Sequence, residues 1–118
     1  MPDAVNLAEK LASFDEVFSP RIVGRYNENK LQVAKVRGEF VWHAHPDTDD
    51  FFLVLSGKLT IELRDEEIEL GPGELCVVPQ GVEHRPRSED GAEILLIEPL
   101  GTPNTGDSDA AAAPEVEI

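Results

Sequence analysis

The chain has 118 residues, 41% of them hydrophobic, a single cysteine and a formal net charge of −14. That length and apolar content describe one folded domain with its own core, and the lone Cys76 excludes an intrachain disulfide. The acidic balance argues against nucleic-acid or anionic-membrane partners, which require clustered Lys and Arg, and the lack of a leader-like segment or a long apolar run points to a soluble cytoplasmic protein.

Residues 5–14 read as a short helix. Asn6 is placed to cap it, and Leu7, Leu11 and Phe14 recur at helical spacing. Arg21–Tyr26 follows as a strand, then an Asn27-Glu28-Asn29 turn. Lys30–Val36 is a second strand, with Leu31 and Val33 on one face and Ala34 and Val36 on the other, broken at Gly38. Glu39–His45 alternates again and stops at Pro46, which cannot donate to a sheet ladder. Asp50–Leu55 is the most apolar strand. Lys58–Leu63 alternates cleanly and forms a hairpin with Ile68–Leu70. Glu74–Val78 and Ala92–Glu98 complete the series, each bounded by Gly or Pro. Strands this short, with turns every eight to twelve residues, predict an all-β sandwich, barrel or jelly roll. Composition shifts after Pro99. Residues 1–106 read as one domain, with the barrel over about 17–99, and 107–118 as an acidic, mobile tail.

Both faces of Asp50–Leu55 are apolar: Phe52 and Val54 on one, Phe51, Leu53 and Leu55 on the other. A strand buried on both sides needs an outer cover. A second subunit provides it in the favoured reading, a homodimer; a helix of the same chain is the alternative. Trp42 points away from its neighbouring histidines and reads as packing, and Arg85 and Arg87 as solvated or paired with carboxylates.

His43 and His45 are the residues with chemical promise. Side chains at i and i+2 of a strand share a face, with Cα atoms about 6.5–7 Å apart. Metal–nitrogen bonds of about 2.0–2.1 Å then let both imidazoles reach one ion. A carboxylate after the Asp47–Asp49 turn offers a third ligand and His84 a fourth. Three histidines and a carboxylate suit Fe, Mn, Ni, Zn or Cu.

The two stretches carrying these residues resemble the paired motifs of the cupin family. Gly38, His43-x-His45, an acidic residue and an apolar strand ending at Gly57 are similar to the first motif. Gly73, Pro79, Gly81 and His84 are similar to the second. The resemblance implies a double-stranded β-helix with a metal inside, held by His43, His45, an acidic residue and His84. Three departures stand out. Four residues separate Gly38 from His43 where five is usual, and the acid is an aspartate where the family usually has glutamate. No asparagine closes the second motif. Asp50 takes the acidic position, with Asp49 or a water as alternatives.

The cupin barrel hosts many chemistries, so the fold narrows function without choosing it. The favoured expectation is a metal-dependent enzyme, oxygenase- or isomerase-like, acting on a small organic molecule. Asp50 would be a ligand or general base. A dioxygenase is favoured over a sugar-phosphate isomerase, since only Lys35 and Arg85 could meet a phosphate. The alternatives are a non-catalytic barrel that binds or senses a metal or small ligand, and a structural barrel with a degraded site.

Overall fold

The structure, a computed structural model, describes residues 2–118. Helix α1 (Leu7–Ala12) precedes eight strands: β1 (Arg21–Tyr26), β2 (Asn29–Glu39), β3 (Asp50–Gly57), β4 (Leu59–Leu63), β5 (Glu67–Leu70), β6 (Leu75–Val78), β7 (His84–Pro99) and β8 (Val116–Glu117). The pairings are antiparallel except that of β1 with β8. The result is the all-β jelly-roll barrel that the spacing of turns predicts.

β7 joins the two walls. Its second half, from Ala92, runs between β2 and β3, while His84–Arg87 pairs with β4. It changes wall at Ser88–Gly91, where the Ser88 hydroxyl donates to Lys58 O and accepts from Gly91 N. Gly57 backs onto that corner with φ +77, and a Cβ there would lie 2.2 Å from the Gly91 carbonyl oxygen. Only glycine lets the two backbones meet so closely.

Here the sequence expectation falls short. It limits the last strand to Ala92–Glu98. The strand instead begins at His84, bent at the glycine and supported by the Ser88 bonds. Conversely, Glu39–His45 is not a regular strand. β2 carries through Gly38, with a bulge, to Glu39. Phe40 N–H then donates to Pro86 O, but proline has no N–H to return. The ladder lapses there and reappears only as an isolated bridge between His43 and His84.

Inside the barrel, Val36, Phe52, Val54, Leu59, Ile61 and Ile94 form the main core. A second cluster lies outside it, where Leu7, Leu11 and Phe14 cover Val33, Leu55 and Leu95. Burial of Leu11 and Phe14, worth roughly 1.5–3 kcal/mol each, holds a six-residue helix that would not form alone. Asn6 caps it by accepting from Glu9 N–H. The helix therefore covers part of the outer face for which sequence reasoning favoured a second subunit.

Residues 107–118, expected as a mobile tail, return to the barrel instead. Val116–Glu117 adds a parallel strand to β1. Glu115 accepts from Lys30 Nζ at 2.7 Å, and Glu117 pairs with Arg25. The carboxylates that read as solubilising charge are anchors to cations far away in sequence. Among the described residues, no helix is long and apolar enough to cross a membrane.

Candidate metal centre

His43, His45, Asp50 and His84 converge at one end of the barrel. All four are buried, and one ligand atom from each lies within 4.8 Å of the others. Asp50 opens β3 and His84 opens β7. His43 is tied to His84 by backbone bonds in both directions, 3.0 Å and 2.9 Å long. His43 and His45 do face one point as i, i+2 residues, although no regular strand carries them. Ala44 between them is held by the C-terminal segment: its N–H donates to Asp107 Oδ1 at 2.7 Å, and its carbonyl accepts from Asp107 N–H at 2.9 Å.

The tautomers follow from the acceptors. His43 Nδ1–H donates to Val41 O and His84 Nδ1–H to Val82 O, both at 2.9 Å. A carbonyl can only accept, so both rings carry a proton on Nδ1 and turn Nε2 inward. There the nitrogens face a carboxylate. Asp50 Oδ2 lies 2.8 Å from His84 Nε2, 3.2 Å from His45 Nε2 and 4.0 Å from His43 Nε2. Wherever an Nε2 carries no proton, its lone pair and the Asp50 carboxylate repel, so the cluster calls for a cation, either a proton or a metal ion, among them. Backbone carbonyls that orient a ligating histidine through its other nitrogen are a familiar support for such sites.

The titration tendencies agree. Burial lowers His43 to about 4, leaving it neutral. For His45, burial pulls down, but the hydrogen bond and charge of Asp50 outweigh it and the net shift is upward. Burial opposes ionisation of Asp50, yet its bonds to His45 and His84 bring it down to about 2. In the metal-free protein a proton shared between Asp50 and the imidazoles facing it would be the cation of the cluster. The donor set fits a divalent transition metal, and its burial fits a site closed by protein groups.

Asp49, the alternative carboxylate, lies outside the cluster, where its Oδ1 accepts from Gln80 N–H at 2.9 Å. Trp42 stacks under the guanidinium groups of Arg64 and Arg85. Arg85 is also paired with Glu62 and Glu39, and Arg87 with Glu67 and Glu62. Lys35 lies over the Phe14 ring. Neither cation considered for phosphate binding reaches the centre.

A cavity of about 50 Å³ adjoins the ligands. Phe18, Phe40, Phe52, Ile94 and Leu96 form its apolar wall, and Glu98 and Asn104 join the ligands at its polar end. Phe40 lines it, because the irregular backbone after Glu39 breaks the expected alternation. Sequence reading did not single out Glu98. Its signal was an acid in phase with Ile94 and Leu96 on a strand read as core. Glu98 is 5% exposed and sits opposite Lys30 in register, with its Oε1 3.4 Å from Lys30 Nζ. Burial and the Asp50 charge push its carboxyl up to about 7, against the pull of Lys30.

Comparison with known proteins fits this geometry. The family model described as "Cupin domain" matches residues 30–98, more than half of the chain. An uncharacterised Bacillus subtilis (strain 168) protein, YdbB, is 35% identical over 96 residues, covering 80% of this chain and 79% of its own. A cupin-2 domain containing protein from Shewanella frigidimarina superposes with a TM-score of 0.80 at 43% identity, over 80% of this chain and 93% of that one. Protein NMB1881 from Neisseria meningitidis gives 0.75 at 33% identity, over 82% and 99%.

Proposed function

This chain belongs to the cupin-domain family, and on that premise we propose that it is a metal-dependent enzyme acting on a small organic molecule at the inner end of the barrel. The supporting observation is the burial of three imidazole Nε2 atoms around Asp50 Oδ2, an arrangement that calls for a cation. His43, His45, His84 and Asp50 would hold a divalent ion. When bound, that ion supplies Lewis-acid chemistry and, if it is redox-active, electron transfer. The residues do the rest. The carbonyls of Val41 and Val82 fix two rings, and the phenylalanines give the cavity an apolar wall. Asp50 would serve as a ligand, since a carboxyl held down at about 2 stays ionised and is a weak base. Oxygenase-like chemistry is preferred over sugar-phosphate isomerisation, since among the described residues no Lys or Arg lines the cavity.

A second reading, a barrel that binds a metal or small ligand without turnover, draws support from cavity size. About 50 Å³ holds a water or two, well short of the roughly 150 Å³ that takes benzene. A ring-sized substrate would need the wall to move.

We further propose a homodimer. On the outer face Phe51 pairs laterally with Val77 and Ile97, and Leu53 with Leu75 and Leu95. Leu75 and Val77 remain 55% and 46% exposed, beyond the reach of α1. A cytoplasmic setting is consistent with the free Cys76, which lies outside the ligand cluster.

The test is metal content of tag-free protein after reconstitution with Fe(II), Mn(II), Ni(II) or Zn(II). Wild type should retain about one ion per chain, and His45→Ala and His84→Ala should lose it. Equal content in all three would sink the metal reading. Oxygen uptake against small catechols, thiols and diketones then separates the two readings. Turnover supports the enzyme, and tight metal binding without turnover supports the binding barrel.

A further inference from the structure

We propose that Glu98 is a second functional carboxylate of the cavity, which selects a neutral or cationic ligand carrying a hydrogen-bond donor and repels anions. The inference rests on the metal-binding reading above and concerns what may approach the ion.

The strand registers place the residue. Phe51 lies opposite Ile97 in the β3·β7 pairing, so Asp50 and Glu98 are the next inward residues on adjacent strands. Both line the cavity with His43 and His45. Glu98 is not among the four clustered ligand atoms, so it faces the same space without completing the cluster. A buried carboxylate needs compensation, and Lys30 supplies part of it. That ammonium is shared: it donates to Thr102 O at 2.9 Å and Glu115 at 2.7 Å, and lies farther, 3.4 Å, from Glu98. The shorter contacts lie away from the cavity, so Glu98 keeps acceptor capacity directed inward.

No free cation offsets it. Among the described residues no Lys or Arg lines the cavity, and Arg85 and Arg87 are each engaged by two carboxylates. An anion reaching the ion would therefore enter a low-dielectric space already holding two carboxylates, where like charges interact strongly. A hydroxyl, amine or azole N–H beside the coordinating atom would instead find in Glu98 a charged acceptor, the stronger kind of hydrogen-bond partner. The apolar wall sets the remaining requirement, an apolar body. The ligand class is thus a small alcohol or amine, or a phenol or azole once the wall has moved to admit its ring; carboxylates and phosphates are disfavoured.

The test uses the Co(II)-loaded protein and its Glu98→Gln variant at about pH 8.5, with visible absorption reporting ligands that reach the ion. Azide is the anion without a donor, and imidazole the neutral probe with one. Co(II) affinity should be equal within about threefold. Azide should bind the variant about tenfold tighter, and imidazole several-fold weaker. That opposite movement is what a merely structural role would not give. The inference is overturned if both probes shift together or neither shifts by twofold, or if no probe perturbs either spectrum. It is overturned equally if Glu98→Gln loses Co(II) while wild type keeps it, since Glu98 would then be a ligand. Failure of wild type to hold Co(II) would instead sink the metal reading, and this inference with it. Should Glu98→Gln not fold, Lys30→Met exposes the same charge from the other side and should weaken azide binding; unchanged azide affinity there would also overturn the proposal.

Discussion

At Asp50 a carboxylate one methylene shorter than glutamate meets three imidazoles, because β3 starts at that residue and its side chain turns inward at once. The reach is sufficient: Oδ2 already lies within hydrogen-bond distance of two Nε2 atoms. Asp50→Asn keeps the shape and removes the charge. It should lower metal affinity on the order of a hundredfold, as measured by competition with a chelator; unchanged affinity would make Asp50 a bystander. Glu98 gives a separate prediction. Its carboxyl has an ordinary value of 4.5 and is raised to about 7 in the fold. A carboxyl raised by folding contributes most below the lower value, and that stability is lost as pH rises from one value to the other. In urea unfolding of metal-free protein, Glu98→Gln should gain on wild type by on the order of 1–3 kcal/mol above pH 7. The gap should close near pH 4; a gap independent of pH would contradict the burial argument. The candidate ligands were legible in the sequence because histidines are scarce, His43 and His45 sit two residues apart, and His84 lies in a second stretch marked by Gly and Pro. Glu98 was not, since its partner Lys30 and its neighbour Asp50 arrive from two other strands.

Among the elements, the hairpin of β4 and β5 and the apolar strand β3 could be read directly, because period-two alternation survives wherever one face is buried. The first half of β7 could not. Its inward residues are His84, Pro86 and Ser88, none of which looks like core, and its charges are satisfied sideways by Glu62 and Glu67. The C-terminal segment was misread for a related reason: its anchors are ion pairs and backbone bonds, and composition carries no trace of them. Gly106 shows how closely that segment lies on the site. With φ +53, a Cβ there would come within 2.4 Å of Ala44 O and 2.9 Å of His43 Cδ2. Gly106→Ala should therefore destabilise the protein by about 1–3 kcal/mol and speed loss of bound metal to a chelator. Gly24→Ala is the control, because its new methyl meets only Leu31 at an ordinary 3.5 Å. Equal behaviour of the two variants would show that the segment does not brace the ligands.

For the molecule as a whole, the acidic surface and the apolar outer face make different demands. Net charge of −14 favours solubility and opposes self-association at low salt, whereas exposed Leu75 and Val77 on β6 favour a partner. If the face is a dimer interface, Val77→Glu should convert a dimer to a monomer in light scattering at 150 mM salt, leaving metal content unchanged. A wild-type monomer at micromolar concentration would remove the dimer proposal. The central claim is that the four converging side chains form a metal site. Its most direct test is anomalous diffraction from crystals of the reconstituted protein, recorded above and below the absorption edge of the added metal. The expected result is one peak per chain, within about 2.0–2.2 Å of the Nε2 atoms of His43, His45 and His84 and of an Asp50 carboxylate oxygen. The contradictory result is a barrel with no anomalous peak, in which Asp50 and the imidazoles share protons alone.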